Sequence, residues 1–211
     1  MNPFKDHPPE LRRLFFVEML ERFSNFGLAS LLVLFMTAEE AAGGLGWDKE
    51  RAMFVKAAYG SGIFFLSIPC SMLADRYMGA ATSVLIGAVL IVVGHVTLAA
   101  PLYFTFFAGL ALVAVGTSFL KPSIAGMVGG LYSGTLATDK KAGMTLFYMS
   151  ISFGGLLGPF VLGYLRNTKF FGSSQSWHIA FGAAAIGMLI ALILYLSHWR
   201  ALKPVRVDAP A

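Results

Sequence analysis

Cysteine is almost absent from this chain: Cys70 stands alone, which excludes an intrachain disulfide and a cysteine-held metal and leaves packing as its expected role. Charge is scarce too. Asp, Glu, Lys and Arg together make up 13% of the 211 residues, about half the share of an ordinary soluble domain. No nucleophile is spaced with a base, no ligand set follows metal spacing, and no glycine-rich phosphate loop is present, so nothing points to an enzyme or to a cofactor. Low-complexity tracts, long linkers and soluble domains are missing as well. Residues 1–9 hold Asp6, His7 and paired prolines rather than an apolar h-region, and the first apolar stretch lacks a small-residue cleavage site, so no removable signal peptide is expected.

What is abundant is apolar surface. Hydrophobic residues make up 57% of the chain, with 23 glycines and a mean hydropathy of +0.72, the profile of a polytopic membrane protein. Apolar stretches of spanning length run over about 14–36, 53–73, 80–99, 104–127, 145–165 and 179–197. The expected fold class is an all-α integral membrane protein, with residues 1–211 forming one bundle of six transmembrane helices.

A pI near 9.4 and a formal charge of +5 would suit nucleic acid, but the basic residues sort by membrane side instead. With the N-terminus inside, the cytoplasmic segments hold Lys5, Arg12, Arg13, Arg76, Lys140, Lys141, Arg200, Lys203 and Arg206. The outer ones hold Lys49, Arg51, Lys56, Arg166 and Lys169. Excess positive charge on that side predicts both termini in the cytoplasm. The expected location is the plasma (inner) membrane, with the lipid bilayer as partner and no nucleic acid.

Two spans carry charge where lipid would penalise it. In the first, Glu18, Glu21, Arg22 and Asn25 fall on one side of a helix of 3.6 residues per turn. A charge near the bilayer centre costs roughly 2.5–3.5 kcal/mol on insertion scales, so the stripe reads as a functional site. An interhelical salt bridge serving only assembly is the competing reading; it needs one acid, and this segment keeps two. In the fourth span Lys121, followed by Pro122, lies deep in an apolar run. Pro122 removes a backbone hydrogen bond next to the lysine. Lys121 either completes a balanced cluster with Glu18, Glu21 and Arg22 or snorkels to an interface. The first and fourth spans are equivalent positions if the bundle is a three-plus-three inverted repeat.

Other features read mainly as structure. Ser150, Gly154 and Gly158 form a small-residue face on the fifth span that lets helix backbones approach. The loop from Glu39 to Arg51, with Gly43, Gly44, Gly46 and Trp47, is an outer turn with an interfacial tryptophan. His95 is expected to be a packed, hydrogen-bonded side chain, and His178 and His198 interfacial. Tyr148 either lines a pocket or anchors packing.

The run Glu18, Met19, Leu20, Glu21, Arg22, Phe23 resembles the E-x-x-E-R-F signature on the first helix of the proton-dependent oligopeptide transporters, a branch of the major facilitator superfamily. Further landmarks fall in order: Ala74, Asp75, Arg76 and Gly79; Phe119, Lys121, Pro122 and Ser123; Phe147, Tyr148 and Ile151 to Gly154; and Trp177, His178, Phe181 and Gly182. The resemblance covers nearly the whole chain, but only the N-terminal half of such a transporter. It implies proton-coupled symport of di- or tripeptides or related organic anions, with protons as the coupling ion. Glu18, Glu21, Arg22 and Lys121 match the proton-coupling and salt-bridge cluster. Arg22, Asn25, Phe64, Lys121, Tyr148 and Ser152 match substrate-lining positions, and Asp75 and Arg76 a gating turn that otherwise reads as a solvated turn. Departures from the family pattern are Asn25 and Phe26 for a tyrosine pair, Ala29 for an arginine, Phe64 for a tyrosine and Ser152 for an asparagine. A complementary C-terminal half or a second copy of the chain is the implied protein partner. The alternative is a truncated or split half that acts only as a binding or assembly module and does not transport alone.

Overall fold

Several helix ends are set by their terminal residues. The computed structural model describes residues 4–100, 102–134, 137–168 and 173–203; Lys169 and Arg206, used above in sorting charge by side, lie outside them. Helix α1 (Pro9–Thr37) starts at a proline, whose fixed φ suits the first turn and whose missing N–H is not needed there. Helix α2 (Lys49–Leu73) is capped by Asp48, whose carboxylate accepts the Arg51 backbone N–H at 2.8 Å. It runs on through a wider π turn, Ala74–Met78, and stops at Gly79. There φ is +76°, a value only glycine takes without strain, and the Gly79 N–H closes on the Ala74 carbonyl at 2.7 Å. The turn that carries Asp75 and Arg76 is therefore a widened continuation of α2 rather than a separate loop. Helices α3 (Ala80–Ala99), α4 (Tyr103–Gly130), α5 (Ala137–Asn167) and α6 (Ser173–Ser197) follow, and a short α7 (Trp199–Leu202) closes the described chain.

Six of these helices are long and apolar enough to cross a membrane; even the shortest, α3 with 20 residues, spans about 30 Å, the thickness of the hydrocarbon layer. Helices α1 and α5 extend several residues beyond their apolar stretches at the N-terminal end, carrying Arg12, Arg13, Lys140 and Lys141 into helix. Packing follows a two-fold pattern. The dominant contacts are α3 on α4 and α1 on α5, followed by α3 on α6, α1 on α6 and α2 on α4. Exchanging α1 with α4, α2 with α5 and α3 with α6 maps this set of contacts onto itself, the relation expected of an inverted three-helix repeat.

Glycine sets the two tightest interfaces. In the antiparallel α3/α4 pair, Gly87 faces Gly116 and Gly94 faces Gly109: a Cβ on Gly87 would lie 2.6 Å from the Gly116 carbonyl oxygen, and one on Gly94 2.9 Å from that of Gly109. Helices α1 and α5 close the same way. A Cβ on Gly154 would sit 2.6 Å from the Arg22 Cβ, and one on Gly158 would meet the Phe23 carbonyl and lie 3.0 Å from the Gly27 amide. The small-residue face of the fifth span thus serves the first. Helix α2 buries little inside the bundle, only Ala52, Ile63 and Cys70, and the packing role expected of Cys70 agrees with this.

Aromatic residues ring both ends. At one end Trp47 stacks on Phe107 at 5.8 Å with Arg51 3.9 Å over its face, and Trp177 donates to the Ala42 carbonyl at 3.0 Å beneath Arg166. At the other, the Tyr132 hydroxyl meets His7 Nδ1 at 2.8 Å and Trp199 packs edge-on to Tyr195. Such belts mark the two membrane–water interfaces.

Candidate functional site

Arg22 lies nine residues past Arg13 in α1, about 14 Å of helix rise from the basic rim, and close to mid-bilayer depth. Helical spacing brings Glu18 one turn below it and Glu21 beside it. The Arg22 Nε stands 2.9 Å from Glu18 Oε1 and 2.6 Å from Glu21 Oε2. All three are sealed: Glu18 and Arg22 are 2% exposed and Glu21 0%. The glycines of α5 make this possible, because Gly154 lets that helix lie directly over Met19, Arg22 and Phe23. Both contacts are ion pairs by distance, and among the described residues Arg22 Nη2, Glu18 Oε2 and Glu21 Oε1 have no hydrogen-bond partner. A buried charge set with open valences is costly, and it suits groups that exchange partners.

Lys121 of α4 is half-buried and within electrostatic reach of Glu18, Glu21 and Arg22. Among the described residues it forms no ion pair within 4 Å; its Nζ lies 5.8 Å from the Phe64 ring centroid. Phe64, on α2, is 73% exposed. The structure therefore brings Lys121 to the same charge field as the α1 stripe but leaves its ammonium at an open surface. Two acids and two cations balance there.

The other residues expected to form the site divide between that surface and the frame behind it, and the frame is tied by α4. Asn25 Nδ2 donates to Thr117 Oγ1 at 3.3 Å, joining α1 to α4. One residue on, Ser118 Oγ donates to the Ile63 carbonyl at 3.0 Å, joining α4 to α2 beside Phe64. Tyr148 and Ser152 lie one turn apart on the exposed side of α5, opposite the buried Phe147 and Ser150. Tyr148 is 55% exposed, with its ring 6.0 Å from that of Phe147. Asp75 and Arg76 are exposed in the π turn, with Arg76 5.5 Å over the Tyr77 ring and no ion pair for either among the described residues. His95 is fully buried, its Nδ1 2.9 Å from the Ile91 carbonyl, the packed histidine expected.

Sequence reasoning missed Tyr59. Among the described residues its buried hydroxyl has no hydrogen-bond partner, and it lies within electrostatic reach of both Glu21 and Arg22, so α2 contributes a polar group to the cluster. The one signal in the sequence was a tyrosine within an otherwise apolar span, whose hydroxyl has no use for lipid. Thr117 was missed for a similar reason: a single threonine in a helix commonly bonds its own preceding turn, and only the fold shows it reaching Asn25.

Inverted helix triplets around a buried acid–arginine cluster define a bundle of the major facilitator type. Residues 81–209 match the model of the POT family. The chain is 37% identical over 196 residues to the peptide transporter YePEPT of Yersinia enterocolitica, covering 91% of this chain and 37% of that protein. It is 36% identical over 195 residues to a di-/tripeptide transporter of Lactococcus lactis, covering 91% of this chain and 38% of the relative. A crystal structure of a POT family transporter in complex with 5-aminolevulinic acid superposes with a TM-score of 0.89 at 38% identity, over 97% of this chain and 41% of that one. The chain belongs to the POT family of multi-pass membrane transporters, and spans well under half the length of the relatives it matches.

Proposed function

We propose that this chain is the N-terminal bundle of a proton-coupled symporter that takes up di- or tripeptides or related small organic anions. The observation that carries this reading is the sealed Glu18/Glu21/Arg22 set facing Lys121 across the bundle. With both acids ionised the four charges cancel. Adding one proton to a glutamate leaves the cluster with an uncompensated positive charge, which a substrate carboxylate arriving at Arg22 and Lys121 neutralises. Each ligand thus removes the electrostatic cost of the other, which is the content of coupling. A module used only for assembly would need one acid to satisfy Arg22, and the second would add cost without benefit.

Phe64, beside Lys121, would line the substrate together with Tyr148, Ser152 and Asn25, while Asp75 and Arg76 at the α2/α3 turn would change partners as the bundles rock. A second six-helix bundle, a complementary C-terminal half or another copy of this chain, completes the alternating-access pair. Both termini lie in the cytoplasm of an inner, plasma membrane in this reading, as the basic residues sort. The names of the relatives as peptide and di-/tripeptide transporters support the substrate class.

Reconstitution tests it. The chain co-expressed with a complementary C-terminal half is placed in liposomes with labelled di- and tripeptides and an imposed proton gradient, inward or none. Uptake should require the inward gradient and fail in Glu21→Gln, while gradient-independent exchange is spared more than driven uptake. Gradient-indifferent uptake in the parent protein would refute coupling through this cluster.

A further inference from the structure

The structure assigns a binding site for the head group of an anionic phospholipid to the end of the bundle where α1 begins and α6 turns into α7. A cavity of about 460 Å³ opens there, lined by Arg13 of α1, by Leu196 and Ser197 of α6, and by His198, Trp199 and Arg200, within the size range of ordinary small-molecule sites. It is distinct from the charge cluster, which lies more than a helical turn deeper along α1.

The pocket exists because the chain breaks direction at His198, whose φ of −118° and ψ of 14° end α6 and start α7. Leu202, fully buried, pins α7 against the bundle, so Trp199 and Arg200 lie across the pocket mouth instead of continuing into solvent. His198 Nδ1 is committed to the Leu194 carbonyl at 3.1 Å and to Ser197 Oγ at 2.8 Å, leaving Nε2 as the ring nitrogen not bound to the helix. Arg13 and Arg200 supply the positive charge. Glu10 approaches Arg13 at 3.5 Å and offsets part of it, but Arg12 and Lys203 flank the same rim, so the balance stays positive.

The neighbouring surface distinguishes a lipid from a soluble anion. Ile186, Leu189, Ile190, Ile193 and Leu196 are all exposed and recur at three- and four-residue spacing, one apolar stripe down α6. The stripe ends at Leu196, in the cavity wall. A ligand with an anionic head and hydrocarbon tails fits both parts at once: a phosphodiester between the arginines, acyl chains along α6, and Trp199 at head-group depth, where tryptophan is favoured. Clustered basic residues at a membrane rim attract anionic lipid, each by roughly a fivefold factor in affinity.

Native mass spectrometry of the chain in neutral detergent tests the assignment, with titrations of phosphatidylglycerol, phosphatidylcholine and glycerol 3-phosphate. One phosphatidylglycerol should be retained at concentrations where phosphatidylcholine is not. Arg13→Gln combined with Arg200→Gln should weaken that binding by about 25-fold, two arginine factors together. Arg13→Lys with Arg200→Lys should keep the preference, as should Arg51→Gln at the opposite rim. Equal retention of the two lipids by the parent chain, or undiminished phosphatidylglycerol binding by the double Gln variant, would overturn the site. Displacement by equimolar glycerol 3-phosphate would overturn the lipid in favour of a soluble phosphate. Should the double Gln variant lose its helical circular dichroism, the lipid comparison on the parent chain and on the Lys pair still decides.

Discussion

Arg22 is the residue on which the buried cluster turns, because it is the one cation within ion-pair distance of both acids among the described residues. Removing it leaves two carboxylates facing each other out of water, whereas removing either acid leaves a pair. Arg22→Gln should therefore destabilise the bundle by about 3–5 kcal/mol, the range for breaking a buried pair, and Glu18→Gln or Glu21→Gln by clearly less. Unfolding in mixed micelles followed by circular dichroism measures the order; a Glu18→Gln cost equal to that of Arg22→Gln would mean that the cation is not shared. Lys121 behaves differently at this scale. Its ammonium lies over an aromatic ring and pairs with no carboxylate among the described residues, so Lys121→Gln should leave stability within about 1 kcal/mol while abolishing substrate-driven protection of the site.

At the scale of elements, backbone approach decides the packing. Gly154 and Gly158 put α5 against the backbone of α1 with no flexible side chain between them, so the obstacle to a larger residue is main chain that cannot move aside. Gly154→Leu should cost at least the roughly 1–3 kcal/mol of ordinary overpacking and disturb the Arg22 pairing with it. Gly163, in the same helix, has nothing within 4 Å of its Cβ position, and Gly163→Ala should stabilise by about 0.5–1 kcal/mol through helix propensity. The same unfolding assay separates the two; similar losses for both would reject glycine-specific contact. Helix orientation is tested separately in a Cys70→Ser background. Cysteine at exposed Glu40 should react with an impermeant maleimide in intact cells and cysteine at exposed Lys140 should not.

For the whole molecule, the proposed function divides the exposed apolar surface between lipid and a water-filled site that a second bundle would face. Helices α2 and α5 bury the smallest shares of their spans, at 17% and 28%, and they carry Phe64, Tyr148 and Ser152 on the open side. Ile190 on α6 is exposed as well, but it belongs to the apolar stripe proposed to carry acyl chains. In the transporter assembled with a C-terminal bundle, Phe64→Cys should be alkylated by a water-soluble reagent and protected by peptide, while Ile190→Cys stays unreactive. Equal reactivity at both positions would reject a water-filled site between bundles.

The spans, their number and the polar stripe of α1 were legible because each depends on a local property. An apolar run of membrane length must cross, and residues 18, 21, 22 and 25 share a helix face by period alone. The E-x-x-E-R-F resemblance added the family for the same reason, since its residues are contiguous. Lys121 was recognisable as an oddity, but its approach to the cluster is a relation between α1 and α4, helices with few direct contacts, and no periodicity encodes it. The glycine pairs of α3 and α4, Tyr59 beneath the charges, Thr117 reaching Asn25 and the basic cavity at the α6/α7 bend all join residues far apart in the chain. Hydropathy and helical period act within one segment, so sequence alone determined what spans the membrane and which charges are costly there. Which groups meet those charges was decided by how closely the helices pack, and that is set by side-chain volume at crossings only the tertiary structure creates.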